Sequence, residues 1–124
     1  MKFTSFNPMI ITKDSESAIA LFEALGFERR HKKDGFLEDV SSVRMKDSNG
    51  FHVDVVQAPV PQDIMTIRMN VDDFDEARAL LTAHGFKSMN DKEPTETGSS
   101  KGCLMVSPSG FSISISKHLK HTQE

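Results

Sequence analysis

Serine and isoleucine alternate near the end of the chain, in the segment SISIS at residues 112–116. Successive side chains of a β-strand point to opposite faces of the sheet, so this segment predicts a strand with one hydroxyl face and one apolar face. The isoleucines are expected to pack against a core. The serines could face solvent, as in an ordinary half-buried strand, or they could line a hollow and limit what that hollow binds.

The alternating segment belongs to an internal repeat. SGFSISIS, which begins at Ser109, matches NGFHVDVV, which begins at Asn49, 60 residues earlier. DFDEARALLTAHGF, which begins at Asp73, matches DSESAIALFEALGF, which begins at Asp14, 59 residues earlier. A repeat fixes the architecture more firmly than local propensity does, so both halves are expected to fold alike.

The second pair of matched segments predicts two short helices. Asp14 and Asp73 stand where the carboxylate of an N-cap residue accepts free backbone N–H groups. Gly26 and Gly85 stand where a helix ends in a left-handed residue. Apolar residues recur at helical spacing in between, so each helix is expected to begin after an aspartate and to end before a glycine.

Strands are predicted on both sides of each helix. FNPMIIT and MTIRMNV precede the helices, and two further strands fit before each final strand, at residues 28–33 and 37–46 and at residues 87–90 and 102–107. Each half is then a βαβββ module, one at residues 1–58 and the other at residues 59–124, joined by the stiff linker QAPVPQD. The predicted class is α+β, and the two modules together form one domain.

Charge and composition exclude several partners. The chain has 124 residues, a net charge of −3 and a pI of about 5.9, with lysine and arginine scattered along it, so it offers no basic stripe for nucleic acid. No apolar run approaches the length of a membrane span. A single cysteine cannot form an internal disulfide, and the N-terminus lacks a signal-peptide pattern, which favours the cytoplasm.

The paired helices and turns resemble those of a known superfamily. The patterns A..LF.ALGF and A..LL.AHGF, with the turns NGF and SGF, are similar to those of the vicinal oxygen chelate superfamily. That superfamily includes glyoxalases, extradiol dioxygenases and bleomycin resistance proteins, and the resemblance covers nearly the whole chain. It implies an eight-stranded, cup-like incomplete barrel with the helices outside and a cavity between the halves.

The resemblance also assigns the strand residues to two faces, because a cup presents its apolar positions to the helix and its other positions to the cavity. On the helix side we expect Val53, Val55, Met65, Ile67, Met69, Val71, Ile113 and Ile115. The residues predicted to bind a ligand are Asn7, Met9, His52, Asp54, Thr66, Arg68, Asn70, Ser112, Ser114 and Ser116. The serines of the opening segment are thus expected to face the hollow.

Metal-dependent relatives hold their ion with histidine or glutamate on the first and last strand of each half. The resemblance implies that the corresponding positions in this sequence are Asn7, Asp54, Thr66 and Ser114. Only Asp54 is a good ligand, because a catalytic transition metal needs about three imidazole, thiolate or carboxylate donors. We therefore expect no metal and no other cofactor at this centre.

Three functions stay open at this point. The leading one is a metal-free protein that binds a small molecule in the cavity, with sequestration of a toxic or antibiotic-like compound as one use. The alternative is a lyase, isomerase or dioxygenase-like enzyme that uses His52 and Asp54 as acid and base, or a displaced metal site. In the third, the cavity is collapsed and the domain is an interaction module or a regulator.

The charged candidates have more than one interpretation. Asp54 and Arg68 could neutralise one another, or they could grip opposite ends of a zwitterionic ligand through charge-assisted hydrogen bonds. His52 and Asp54 could be an ordinary polar pair on one strand. Open sheet edges and apolar surface favour a homodimer, so the expected partners are a small-molecule ligand and a second copy of the chain.

Overall fold

The computed structural model describes residues 1–37, 40–89, 93–96 and 100–118. Over these residues the chain follows the predicted order of strand, helix and three strands in both halves, and the α+β class is confirmed. The first half contains β1 (Phe3–Thr12), α1 (Ser15–Ala24), β2 (Glu28–Leu37), β3 (Val40–Lys46) and β4 (His52–Gln57). The second half contains β5 (Ile64–Val71), α2 (Phe74–Ala83), β6 (Lys87–Ser88), the short additional strand β7 (Thr95–Glu96), β8 (Ser100–Val106) and β9 (Ser112–His118).

The contacts divide the chain into two compact units. Residues 7–66 form the first unit, and the second unit combines residues 1–6 with the chain from residue 67 onward. The backbone N–H of Lys2 donates to the carboxylate of Asp72 at 2.7 Å, and the backbone N–H of Asp72 donates to the carbonyl of Lys2 at 3.0 Å. These bonds attach the N-terminus to the second unit. The module boundary after residue 58 follows from the repeat and stays a prediction.

The strands of the first unit are ordered β2-β3-β4-β1. β3 is antiparallel to both of its neighbours, and β1 runs parallel to β4 with Met9 beside Asp54. Strand β2 continues to Leu37, so the break predicted at residues 34–36 is wrong. The chain passes Asp34 and Gly35 with a register shift against β3 and does not turn there.

The strands of the second unit are ordered β5-β9-β8-β6, and β7 pairs with β8. β5 runs parallel to β9, with Met69 beside Ile115, and β8 is antiparallel to β9. Strand β6 ends at Ser88, earlier than predicted, and the last residue of the predicted strand lies outside the described ranges. Strand β8 begins at Ser100, two residues earlier than the predicted strand.

Helix α1 packs on one face of the first unit's sheet. Ile19 of the helix is buried in a cluster with Val43, Met45, Val53 and Val55 of β3 and β4. The prediction that Val53 and Val55 lie on the helix side is confirmed. Full burial of an aliphatic side chain of this size contributes about 1.5–3 kcal/mol to folding, so this face supplies much of the unit's stability.

Helix α2 packs on its sheet in the same way. Its residues Phe74 and Ala77 are buried in a cluster, and the sheet and loop residues of that cluster are Met69, Val71, Phe86, Cys103, Met105 and Ile115. Ile113 is partly buried against the same cluster. Four of the predicted helix-side residues are therefore confirmed here: Met69, Val71, Ile113 and Ile115.

The prediction is wrong for Met65 and Ile67, which are 72% and 36% exposed. Helix α2 has ten residues and spans about 15 Å, whereas the eight residues of β5 span about 26 Å. The helix follows β5 directly in the chain, so it covers the end of the strand at Met69 and Val71. It is too short to cover the beginning.

The two predicted N-caps are confirmed. The carboxylate of Asp14 accepts the backbone N–H of Ser17 at 3.2 Å, and the carboxylate of Asp73 accepts the backbone N–H of Glu76 at 3.0 Å. The hydroxyl and the backbone N–H of Ser17 lower the pKa of Asp14, because both hydrogen bonds favour its charged form. Within the described ranges, neither helix has the length and apolarity needed to cross a membrane.

The glycines that follow the two helices give a matched test. Gly26 and Gly85 have φ values of 108° and 91°, where a Cβ atom is strained by about 1–2 kcal/mol. A Cβ at Gly26 would meet no atom of the described residues within 4 Å, whereas a Cβ at Gly85 would lie 2.7 Å from Cγ of Pro108. We expect Gly26→Ala to lower the free energy of unfolding by about 1 kcal/mol and Gly85→Ala to lower it by at least about 1 kcal/mol more, as measured by urea unfolding. Equal losses would contradict the close approach to Pro108.

Candidate functional site

The first unit has a polar sheet face on the side away from α1. Val43 and Met45 of β3 pack in the cluster with Ile19 of α1. The side chains of Arg44 and Lys46 alternate with them and point to the opposite face of the sheet. The same alternation in β4 places His52 and Asp54 on this face. Cross-strand register puts Arg44 directly opposite Asp54 and Lys46 directly opposite His52.

An ion pair between a fully buried carboxylate and a partly exposed guanidinium lies at the middle of this face. The Arg44 guanidinium donates from Nε to Oδ1 of Asp54 at 2.9 Å and from Nη2 to Oδ2 at 3.0 Å. Asn7 joins the pair, because its Nδ2 donates to Oδ2 of Asp54 at 3.0 Å and its Oδ1 accepts from Nη2 of Arg44 at 3.3 Å. We call these three residues the Arg44 cluster. Asp54 is fully buried and Asn7 is 5% exposed.

The Arg44 cluster holds the guanidinium in one orientation. The hydrogen bonds that Arg44 donates to Asp54 raise the pKa of Arg44 above its ordinary value, so the side chain stays cationic. The hydrogen bonds of the cluster use the Nε–H and both Nη2–H groups, and Nη1 makes no hydrogen bond to any residue that the structure describes. Arg44 keeps 23% of its side-chain exposure. The Nη1 edge therefore has donor capacity that the described residues do not use.

His52 lies beside the Arg44 cluster on the same face and is half-buried. Its pKa is lowered from 6.5, first because burial disfavours the charged ring, and then because Arg44 and Lys46 repel a proton. The carboxylates of Asp54 and Asp47 oppose this shift and do not reverse it. The imidazole is therefore neutral at neutral pH, with a lone pair available on one ring nitrogen.

The lowered pKa of His52 predicts how stability depends on pH. The folded protein holds this proton less tightly than the unfolded chain, so the stability from neutral His52 is present above pH 6.5 and is lost as the pH falls below that value. We expect His52→Gln to flatten the fall in unfolding free energy between about pH 8 and about pH 5, measured by urea unfolding. An NMR titration midpoint of the His52 ring above 6.5 in the folded protein would contradict this account.

The second unit also has a polar sheet face away from its helix. Register places Arg68 beside Ser114 and Asn70 beside Ser116, and the hydroxyl of Ser116 donates to Oδ1 of Asn70. Ser112 is 8% exposed, and the other two serines of β9 are half-buried. All three alternating serines are therefore shielded from solvent. Ser112 is buried, and Ser114 and Ser116 are half-buried.

Thr66 and Met9 are the remaining predicted site residues. Thr66 is 3% exposed, and its Oγ1 has no hydrogen-bond partner among the residues that the structure describes. A buried hydroxyl in this state has unused hydrogen-bonding capacity at a cost of about 1–3 kcal/mol. Met9 is 8% exposed and lies beside Asp54 in the register of β1 with β4.

The sequence analysis placed Asn7 and Asp54 in one site, and the structure brings them within hydrogen-bonding distance. It did not single out Arg44, which is the residue that pairs with Asp54 in the first unit. The signal was present in SSVRMK, where Arg44 stands between two apolar residues on a strand and must point away from the helix. The ligand-binding role of the ten predicted residues stays a prediction.

The donors present do not fit the metal centre that the fold family implies. Asp54 is the only carboxylate at the four carried-over positions, and both of its oxygens accept hydrogen bonds from Arg44. A divalent cation there would meet the positive guanidinium, and the neutral oxygens of asparagine, threonine and serine do not supply the missing charge. Over the described ranges, no group of three or more His, Cys, Asp and Glu side chains is arranged to hold a metal ion.

Comparison of the structure with solved structures identifies the fold. A methylmalonyl-CoA epimerase is similar, with a TM-score of 0.65 and 18% sequence identity over 92% of this chain and 94% of that one. A variant of the Streptomyces coelicolor methylmalonyl-CoA epimerase, in complex with 2-nitronate-propionyl-CoA, has a TM-score of 0.66 and 15% identity over 96% of this chain and all of its own.

A glyoxalase/bleomycin resistance protein/dioxygenase superfamily member from Vibrio splendidus 12B01 has a TM-score of 0.60 and 15% identity over 94% of this chain and 99% of its own. No family model matches the sequence, and no curated protein sequence does so either. The predicted resemblance is therefore confirmed at the level of the fold, which is that of the vicinal oxygen chelate superfamily. At these sequence identities the activity of a similar structure is not transferred to this chain, because one fold hosts many functions.

Proposed function

We propose that this protein binds a small organic molecule at its polar sheet faces, without a metal ion. One observation carries the proposal: the polar residues of these faces are buried. The exposed fractions are 5% for Asn7, 0% for Asp54, 3% for Thr66 and 8% for Ser112. If these faces simply met solvent, their amide, carboxylate and hydroxyl groups would be exposed.

Burial of so many polar groups is costly unless they form hydrogen bonds. The Arg44 cluster satisfies part of this requirement internally, but the Thr66 hydroxyl has no partner within the described residues. Ligand sites combine a largely apolar wall with a few well-placed polar groups, and Met9 beside Asp54 is such a combination. One structural neighbour holds 2-nitronate-propionyl-CoA, so the fold is compatible with binding of a small molecule.

Sequestration of a toxic or antibiotic-like compound is the use that we propose for this binding. It requires enclosure and hydrogen bonding but no reactive group. We further propose that the protein acts in the cytoplasm and as a homodimer. The exposed apolar side chains of the second unit, among them Phe3, Phe6 and Ile67, support association with a second copy.

The test is a thermal-shift screen with neutral, anionic and cationic organic molecules. A genuine site gives stabilisation that saturates with ligand concentration. Ser114→Val removes a hydroxyl from the polar face, and Thr4→Val makes a similar change at an exposed position as a matched control. We expect Ser114→Val to change the Kd of hits by at least about fivefold and Thr4→Val to leave it unchanged. The proposal fails if no molecule of any charge class gives saturable stabilisation.

A proton-transfer enzyme is the second candidate, and the neutral His52 beside the Arg44 cluster favours it. The two epimerases described above share the fold of this chain. In such a reaction His52 would take a proton from a carbon next to a carbonyl group and return it to the same carbon. Hits from the screen would then exchange that proton in D₂O, and His52→Gln would abolish the exchange while the hits still bind. Binding without exchange in the unmodified protein supports the non-catalytic function.

Removal of divalent cations should leave the protein unchanged. The Arg44 guanidinium already binds both oxygens of Asp54, so a chelator removes nothing that this site needs. We expect protein purified without chelator to contain no stoichiometric zinc, nickel, iron or manganese, and its Tm to stay the same after dialysis against EDTA. A stoichiometric ion whose loss lowers the Tm would contradict the proposal, because metal binding stabilises the folded state.

A further inference from the structure

We propose that Arg44 anchors an oxyanion of the ligand, a carboxylate or a phosphate, through the N–H groups of Nη1. This inference rests on the proposed function and adds the chemical class of the ligand. It starts from the geometry of the Arg44 cluster. Nε and Nη2 donate to Asp54 and Asn7, so these bonds fix the plane of the guanidinium, and Nη1 has no hydrogen-bond partner among the residues that the structure describes.

A fixed guanidinium binds an oxyanion better than a mobile one. Arginine presents its donors as a planar fork that matches carboxylate and phosphate, and bonds of this kind are about twice as strong as neutral hydrogen bonds. A free arginine side chain loses rotamer entropy when a ligand immobilises it, whereas Arg44 has already lost that freedom on folding. Its 23% exposure, against none for Asp54, leaves the arginine as the accessible member of the pair.

The charges around the cluster favour an anion over a cation. Asp54 and Arg44 cancel one another, and Lys46 and His52 form the adjacent cross-strand pair on the same face. Arg44 and Lys46 lie close to His52, so their positive charges disfavour protonation of its ring. The effect of these two cations on His52 exceeds that of the carboxylates of Asp54 and Asp47.

The internal repeat shows that the fold does not require this ion pair. The positions equivalent to Arg44 and Asp54, 60 residues later, are Leu104 and Ser114, and they face one another in the same way in β8 and β9. A buried ion pair is often no more stabilising than a well-packed apolar pair. The first unit therefore carries a charged pair where the same fold accepts leucine and serine, which points to a role in recognition.

The experiment uses four probes of similar shape: benzoate, phenyl phosphate, the neutral benzamide and the cationic benzamidine. Their Kd values are measured by NMR titration of the full chain. We expect benzoate or phenyl phosphate to bind at least about tenfold more tightly than benzamide and benzamidine, and the tighter of the two identifies the oxyanion. Equal Kd values for benzoate, phenyl phosphate and benzamide overturn the inference. So does a Kd weaker than about 10 mM for both anions.

Two variants test the residue itself. The double variant Arg44→Leu with Asp54→Ser installs the pair of the second unit and should lose the preference for anions. Arg44→Lys keeps the positive charge but removes the planar set of guanidinium donors, and it should weaken anion binding by at least about fivefold. Arg30→Leu removes a cation from the exposed surface, where Arg30 pairs with Glu28, and should bind as the unmodified protein does. An anion preference retained in both Arg44 variants overturns the inference.

These outcomes separate the inference from the proposed function. Failure of the proposed function is the absence of saturable stabilisation by any molecule in the thermal-shift screen. Failure of the inference is a set of hits that are neutral or cationic, or whose Kd values do not depend on Arg44. A protein that binds benzamide as well as benzoate would still be a small-molecule-binding protein, but Arg44 would not be its anchor.

Discussion

Arg44→Leu is expected to lower the free energy of unfolding by about 3–5 kcal/mol. The substitution leaves the carboxylate of Asp54 fully buried without the guanidinium that binds both of its oxygens. Asn7 still donates a hydrogen bond to this carboxylate, but an amide does not replace the charge of the guanidinium. Urea unfolding followed by circular dichroism measures the loss.

The double variant separates the cost of removing the guanidinium from the buried carboxylate from the stability that the Arg44 and Asp54 pair itself contributes. Adding Asp54→Ser to Arg44→Leu removes the buried charge and reproduces the Leu104 and Ser114 pair of the second unit. We expect it to recover most of the lost stability, because the same strand pair folds with these residues 60 positions later. Arg30→Leu on the surface should stay within about 0.5 kcal/mol of the unmodified protein. A double variant as unstable as Arg44→Leu would show that the fold needs the ion pair.

Ile115→Ala is expected to lower the free energy of unfolding by about 2–5 kcal/mol. Ile115 has no exposed surface and lies in the cluster with Met69, Met105 and Phe74. The substitution removes apolar contacts and leaves a cavity that the surrounding strands and α2 fill only in part. Urea unfolding of the full chain is again the measurement.

The matched control for Ile115→Ala is Ile67→Ala. Ile67 is 36% exposed and is not a member of the buried cluster of the second unit. Its truncation should cost less than half of what Ile115→Ala costs. Equal losses at the two positions would mean that Ile67 packs against α2 as the alternation predicted.

The repeat explains why so much of the fold could be predicted from the sequence. Matched helices with Asp14 and Asp73 at their N-caps, and matched alternating strands, specify the βαβββ order without any long-range information. The helix-side positions also follow, because Val53, Val55 and Ile115 alternate with polar residues. Local pattern was sufficient wherever one face of a strand contacts one helix.

The errors arose where a distant element decides the environment. Met65 and Ile67 alternate correctly, but their burial depends on how far α2 reaches along β5. The Asp34 and Gly35 segment has the composition of a turn, yet pairing with β3 carries the strand past it with a register shift. Neither fact is encoded in the residues of the segment itself.

The candidate site could be predicted only in part for the same reason. Asp54 was recognised as the one good donor among the carried-over positions, and Asn7 was placed in the same site. The partner that decides the chemistry, Arg44, depends on the register between β3 and β4, which the sequence analysis did not assign. With that register, the interpretation of Asp54 changes from the one good metal ligand among four positions to the residue that orients a guanidinium.

The guanidinium signal of Arg44 tests the central claim most directly. In ¹⁵N-labelled protein, the Nε–H group of Arg44 is protected by its hydrogen bond to Asp54 and should give a resolved cross-peak. Addition of benzoate should shift this peak in a saturable way, while the Nε–H peak of the exposed Arg30 stays in place. An Arg44 peak that does not move, while other residues report saturable binding of benzoate, would contradict the account.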